Sequence, residues 1–258
     1  VQILLTNDDG IHAPGLVAME RELRELGPVT VVAPLTEQSG VGHSITYLTP
    51  LMARKVFEKQ PGSRDRQRGW AVEGSPADCV KLAIAELCPE RPQLVVSGIN
   101  SGQNAGINVL YSGTVAAAIE GAFFGITSFA VSLEYEEHAR YEQAAKIAAP
   151  LIRQVWEKKD NPPQLYNLNI PASALNHPAE VQVLPMATAP WGESFEKRQD
   201  PRGRSYYWAT GMQPAPPDNI ETDLSALRTG RITLTPLAFD MTQHDQLEAM
   251  RKWKLKVP

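Results

Sequence analysis

The chain has 258 residues, 43% hydrophobic and 21% charged, proportions of a soluble globular protein built as one large domain or as a core with an extension. A net charge of −4 excludes a general attraction to nucleic-acid polymers or anionic membranes, so any phosphate ligand has to be held by a local site. Residues 92–119 carry no charge, but Asn100, Asn104, Asn108 and several glycines make them too polar and too broken to span a membrane.

In chain order, Ile3, Leu4 and Leu5 read as a buried strand, stopped by Gly10. Leu16 to Leu26 reads as a helix, with Pro14 near its start and Gly27 at its end. Val29 to Ala33 is an apolar, β-branched strand. Arg64, Arg66 and Arg68 then fall in a polar stretch that reads as a solvated loop tip. Ser75-Pro76-Ala77-Asp78 opens a helix: Ser75 caps it, Pro76 fits the first turn, and Asp78 completes a capping box. Leu94 to Val96 is a short buried strand. Ser112-Gly113-Thr114 opens another helix, with Val115, Ile119, Ala122 and Phe123 on its apolar face and Gly125 at its end. Ser128 to Leu133 is a strand, and Ala139 to Trp156 a long amphipathic helix. This alternation predicts an α/β fold: a mostly parallel sheet with helices on both faces.

The second half reads differently. Ten of the 21 prolines lie between residues 158 and 220, which disfavours long helices and favours short strands, hairpins and loops. Gly203 to Thr210 is an aromatic strand, with Tyr206, Tyr207 and Trp208 suited to subunit contacts. Arg231 to Leu237 is a further strand, and His244 to Lys254 a closing helix. If Cys79 and Cys88 share a helix, their separation of nine residues puts them on opposite faces, so they cannot pair. That suits a reducing, cytoplasmic compartment, and no signal-peptide pattern precedes the first strand.

Chemistry collects at the predicted strand ends. Asp8 and Asp9 follow the first strand, at the sheet edge where open α/β folds bind ligands. Neighbouring strand residues point to opposite faces, so both acids share one site only if the strand has already ended. Adjacent anions repel, and a divalent cation between them removes that repulsion. Asp-Gly is also a common turn dipeptide, and the pair alone is compatible with a plain capped turn. The other strand ends argue for the cation. After the second strand, Ser39 offers a hydroxyl oxygen, and Gly40 and Gly42 let the backbone approach a ligand. After the strand at Val96, Asn100 offers a neutral amide oxygen. Two carboxylates, a hydroxyl and an amide form an all-oxygen set suited to Mg²⁺ or Mn²⁺, and no Cys or His spacing suggests zinc. The helix beginning at Ser112, Gly113 and Thr114 presents unpaired N–H groups and a positive dipole end to an anion, although Ser112 is also an ordinary N-cap. His43 and His244 are candidate acid/base or phosphate contacts.

These stretches together resemble the SurE family, the survival-protein E nucleotidases. The matching segments are Ile3-Leu-Leu-Thr-Asn-Asp-Asp-Gly-Ile11, Val32-Ala-Pro34 with Gln38-Ser-Gly40, Gly74-Ser-Pro-Ala-Asp-Cys79, Val96-Ser-Gly-Ile-Asn100 and Tyr111-Ser-Gly-Thr-Val115. A weaker match runs through Thr222-Asp223 to Leu234-Thr-Pro-Leu237. The resemblance implies metal-dependent hydrolysis of nucleoside monophosphates, a 5′-nucleotidase activity, with 3′-nucleotides and short polyphosphate left open as further substrates. It places one Mg²⁺ or Mn²⁺ per subunit on Asp8, Asp9, Ser39 and Asn100, with Asp8, Asp9 and Asn100 as catalytic residues. Asn7, Gly40, His43, Ser112, Gly113 and Thr114 would hold phosphate or substrate. The implied fold is a single domain over 1–258. Its Rossmann-like core covers about 1–157 and 165–185. A Pro-rich β-hairpin extension and C-terminal helix, about 186–258, exchange between subunits of a dimer or tetramer. Asp240 and His244 match a C-terminal Asp-x-x-x-His pattern that contributes to the site. Two positions depart from the family: Ser75 where many members have Thr, and Asn108 where many have Asp, which removes a charge beside the site.

Two other readings share the acidic pair. A phosphoaspartate receiver module needs an Asp at the end of a later strand and a Lys beyond it, whereas here that strand ends in Ser-Gly-Ile-Asn. A phosphatase that forms an aspartyl-phosphate favours two acids one residue apart on one face, and Asp8-Asp9 lacks that spacing.

Overall fold

All four residues of β1 (Ile3–Thr6) are buried, and their alternation sets the layers of the molecule. Ile3 and Leu5 pack into one apolar cluster, while Leu4 packs into another on the opposite face. The computed structural model describes residues 1–59, 65–159, 162–177, 179–188, 192–213 and 220–257. On the first face lie α1 (Pro14–Leu23) and α4 (Tyr141–Lys158), packed against each other. On the second lie α2 (Pro76–Leu82) and α3 (Gly113–Phe123). Each Leu or Ile fully buried between these layers contributes ~1.5–3 kcal/mol.

The main sheet has nine strands. β1 pairs in parallel with β2 (Val29–Pro34) on one side and with β5 (Leu94–Ser101) on the other. β2 continues in parallel to β4 (Arg66–Val72), and the antiparallel β3 (Ala53–Glu58) closes that edge. β5 continues in parallel to β6 (Thr127–Leu133) and β7 (Leu165–Ile170). The chain therefore runs outward from β1 in one direction, then returns and runs outward in the other. The crevice between β1 and β5 is the topological switch point, where such sheets bind ligands.

The expected α/β architecture is present, with several shifts. The first helix ends at Leu23 rather than Leu26, in a turn before Gly27, where a Cβ would lie 2.1 Å from the Val1 carbonyl oxygen. β5 does not stop at Val96. It runs to Ser101 through a register shift between Ser97 and Asn100, with Gly98 at φ +131° and its missing Cβ 2.2 Å from the Val131 carbonyl oxygen. A bulge that only glycine allows thus carries Asn100 on the strand itself.

The arginine-rich stretch needs correction. Arg64 lies outside the described residues, but Arg66 and Arg68 belong to β4 rather than to a loop tip. The Arg68 side chain is only 10% exposed, pairs with Glu20 of α1 at 2.9 Å, and donates to the Ile11 carbonyl at 2.9 Å. Arg24 reaches the other oxygen of Glu20 at 2.5 Å. Arg66 stays exposed as expected, but Arg68, read from sequence as solvated, is a largely buried brace between β4, α1 and the turn after Asp9.

The boundary drawn at about 186 is also crossed. α5 (Asp223–Arg228) leads into β11 (Ile232–Leu237), which inserts in the main sheet between β7, antiparallel, and β8 (Val181–Val183), parallel. Residues 222–237 therefore return to the core. What stands apart is the antiparallel hairpin of β9 (Gly192–Gln199) and β10 (Ser205–Gln213), together with α6 (His244–Arg251), which has no buried residue.

Candidate active site

β1 ends at Thr6, so Asp8 and Asp9 lie in a bend beyond it, the condition for both acids to serve one site. Asn7 makes that bend. It is fully buried, its amide donates to the Gly10 carbonyl at 3.0 Å, and it accepts the Gly10 N–H at 3.2 Å. Gly10 has φ +102°, which favours glycine. Asn7 thus braces the acidic turn with both ends of its amide.

The two acids differ in surroundings. Asp8 is buried and accepts hydrogen bonds from the Thr114 hydroxyl and the Thr114 backbone N–H, at the start of α3. A Cβ on Gly113 would come within 2.9 Å of the Asp8 Cβ, so the missing side chain is what admits Asp8 to the helix N-terminus. Burial raises the Asp8 pKa, and the Thr114 bonds partly oppose that rise. Asp9 accepts the Ser101 N–H, but burial, and then the charge of Asp8, push its pKa to about 6. Its Oδ2 is buried without a hydrogen-bond partner among the described residues. A buried, unpartnered carboxylate oxygen beside a second carboxylate is unfavourable until a cation meets it.

The neutral donors arrive on neighbouring loops. The Gln38 N–H bonds the Asp8 carbonyl at 2.8 Å and brings Ser39 to the pair. The Ser39 hydroxyl donates to Glu37 at 2.6 Å. Asn100 donates its amide N–H to the Gly102 carbonyl at 2.7 Å, which leaves its Oδ1 as the acceptor end. The residues fit a hard divalent cation: an orphaned carboxylate oxygen, a second carboxylate, a hydroxyl and an amide carbonyl, all oxygen. Among the described residues no cluster of three His, Cys, Asp or Glu forms a nitrogen- or sulfur-rich metal site.

The loop after β2 is fastened at four further points. The Gly42 N–H bonds the Tyr111 carbonyl at 3.0 Å. His43 shares a 2.7 Å bond with buried Glu120 of α3 and stacks on Phe123, with ring centroids 5.4 Å apart. Ser75 donates to the Ser44 carbonyl at 2.7 Å. Asp78 accepts the Thr46 N–H at 3.0 Å and the Thr46 hydroxyl at 2.7 Å, while also closing the capping box of α2. The Ser75–Asp78 turn is therefore an anchor for the Ser39 loop as well as a cap. Gly40, at φ +70°, has open space where a side chain would stand.

The structure thus brings Asp8, Asp9, Gly113 and Thr114 together at the switch point, with the Ser39 loop tied through Gln38 to the Asp8 backbone and Asn100 on the strand beside them. It engages His43 with Glu120, Ser112 with the Val115 N–H it caps at 3.1 Å, and Thr114 with Asp8, so these three side chains hold loops and helix in place. Asp240 and His244 bond each other at 2.8 Å on the exposed surface. Hydrogen bonds from Thr242, and then His244, hold the Asp240 pKa down to about 2. Phe239 next to them packs edge-on against Phe123, with centroids 4.8 Å apart, the C-terminal segment's link toward His43.

Sequence reasoning passed over Glu37, Glu120, Ser101 and Tyr141. Tyr141 hydrogen-bonds Ser101, lies near the Asp9 charge and has a raised pKa, chiefly through burial. Glu37 had a legible signal, a carboxylate two residues before a candidate hydroxyl ligand. Glu120 and Tyr141 had none, since their partners lie far away in the chain.

The family model described as "Survival protein SurE" matches residues 3–193. The chain is 56% identical over 258 residues to the 5′-nucleotidase SurE of Rhodopirellula baltica, covering 99% of this chain and 100% of that one. It is 42% identical to the 5′-nucleotidase SurE of Heliobacterium modesticaldum, covering 98% and 92%. The crystal structure of the Sure protein from Aquifex aeolicus superposes with a TM-score of 0.84 at 33% identity, covering 99% of this chain and all of that one.

Proposed function

This chain belongs to the survival protein SurE family, and we propose that it hydrolyses nucleoside monophosphates at the Asp8–Asp9 crevice. It is a metal-dependent 5′-nucleotidase, a phosphoric monoester hydrolase. The comparisons support this activity and not a phosphoaspartate receiver module.

The observation that carries the site is the orphaned Oδ2 of Asp9 beside Asp8. Asp8, Asp9, Ser39 and Asn100 would hold one Mg²⁺ or Mn²⁺ per subunit. When bound, the ion supplies positive charge for the phosphoryl oxygens and for the entering water. Thr114 fixes Asp8 through its hydroxyl and N–H, and the Ser101 N–H fixes Asp9, so the carboxylates need little reorganisation. The start of α3 adds the positive end of its dipole at the place where Gly113 has no side chain. Open backbone at Gly40 gives a phosphate room to approach from the Ser39 loop. Asn7, His43 and Ser112 serve this reading by shaping the loops around the phosphate. The substrate range includes 5′-nucleotides, and 3′-nucleotides and short polyphosphate are the extensions to screen.

Self-association as a dimer or tetramer belongs to the same proposal. Its support is the aromatic surface of β9 and β10, with Tyr207 60% and Trp208 58% exposed. Residence in the cytoplasm is supported by two free cysteines. No helix among the described residues is long and apolar enough to cross a membrane.

The test is phosphate release from a panel of nucleotides, with and without Mn²⁺ or Mg²⁺. Asp8→Asn should lower metal-dependent release by about a thousandfold or more, as expected for loss of a group central to transition-state charge stabilisation. Retained activity with normal metal affinity would overturn the assignment.

A further inference from the structure

A serine hydroxyl meets a cation only through its oxygen lone pairs, and its proton must turn to another acceptor. Here the acceptor is Oε1 of Glu37, 2.6 Å from Ser39 Oγ, within the short range of hydroxyl–carboxylate bonds. Both side chains sit on the loop that the Gln38 N–H fastens to the Asp8 carbonyl. Glu37, next to Gln38 in the chain, lies on the stretch of that loop tied to the acidic turn. Yet among the described residues no three carboxylates, histidines or cysteines converge as a joint metal site. The Ser39 bond places Glu37 one hydrogen bond outside the proposed donor set.

We propose that Glu37 is a positioning residue for the cation: by accepting the Ser39 hydroxyl proton in a hydrogen bond, it keeps the Ser39 Oγ lone pairs available to the metal. This rests on the reading of Asp8, Asp9, Ser39 and Asn100 as ligands. The bond is specific in direction. A neutral hydroxyl left to rotate is free to turn its proton toward the cation and so point the wrong end at the ion. Partners that orient a ligand without touching the metal typically change affinity by about 10- to 100-fold.

The experiment is Mn²⁺ titration of the whole protein by calorimetry, with the Mn²⁺ electron-spin resonance spectrum as a second readout. Glu37 and Ser39 are both exposed, so variants there should keep the wild-type thermal melt without metal. E37A should weaken Mn²⁺ by about 10- to 100-fold, and S39A by a similar factor. The double variant E37A/S39A should bind no more weakly than S39A, because the orienting partner then has nothing to orient. E37Q, whose side-chain carbonyl still accepts the hydroxyl proton, should recover most of the loss and the wild-type spectrum. Unchanged affinity in E37A overturns the proposal. So do additive losses in the double variant, which would make Glu37 an independent contributor, and an E37Q as weak as E37A, which would make charge rather than orientation the cause. S39A binding as tightly as wild type while D8N does not bind removes Ser39 from the donor set and takes this proposal with it. If the coupling is found but no nucleotide is hydrolysed, the role of Glu37 stands and the nucleotidase reading alone falls.

Discussion

The sheet around β1 and the hairpin of β9 and β10 are built on opposite principles. In the sheet every strand finds neighbours, and helices cover both faces; Leu4, Leu5, Val31, Val96 and Ile170 have no exposed surface. In the hairpin each strand pairs only with the other, and Phe195, Tyr207 and Trp208 face solvent. A two-stranded hairpin in water is marginal by itself. The contrast separates two uses of apolar residues: the core buries its own, while the hairpin displays them for another surface, in keeping with the proposed self-association.

Substitutions can break this contrast, and the largest effect should come from the core. Arg68→Ala removes the partner of buried Glu20 and frees the Ile11 carbonyl, and should cost about 3 kcal/mol in urea unfolding, the low end for a broken buried pair because Arg24 still reaches Glu20. A loss under about 0.5 kcal/mol would return Arg68 to the solvated surface.

Next comes Asp9→Asn, with the opposite sign. The folded pKa of Asp9, about 6, lies above its ordinary 3.8, so the wild type loses stability as pH rises between those values. Without metal, the variant should be more stable than wild type by about 1–2 kcal/mol at pH 8, a figure reduced for partial solvation of the group. That gain should disappear as pH falls toward 4, and Mn²⁺ should stabilise the wild type but not the variant. Thermal melts at pH 4, 6 and 8, with and without metal, check all three.

The smallest effect on the fold should come from the hairpin. Replacing Tyr207 and Trp208 together by Ser should change the stability of the core by no more than about 0.5 kcal/mol. The same variant should sediment as a smaller species than wild type. A large loss of stability with unchanged sedimentation would mean that the hairpin packs on its own chain.

Local patterns announced much of this molecule. The apolar run at Ile3–Leu5 and the acids after it needed no partner to be read, and neither did the capping box at Ser75 and Asp78. The proposed oxygen donors stood out because each sits near a strand end, where residue type reflects chemistry more than packing. Features that depend on distant residues were not. Arg68 looks solvated until Glu20, 48 positions away, is beside it. The extra length of β5 was hidden because Ser97-Gly98 reads as a break unless one sees Val131 lying against Gly98. Asp223 seemed only part of a weak motif. In the fold it is fully buried and accepts the N–H groups of Gly106 and Ala187, at 2.8 and 2.9 Å, from residues 117 and 36 positions away.

The insertion of β11 between β7 and β8 also fixes how the chain can be cut. The hairpin is a detour in the covalent path rather than a tail, because the chain beyond it comes back into the main ladder. Arg202, exposed in the hairpin turn, is a natural point for trypsin. A single nick there should yield two fragments that stay together through gel filtration and separate only in denaturant. In that respect the protein is a two-piece assembly that happens to be synthesised as one, and its C-terminal piece supplies an interior strand of the sheet.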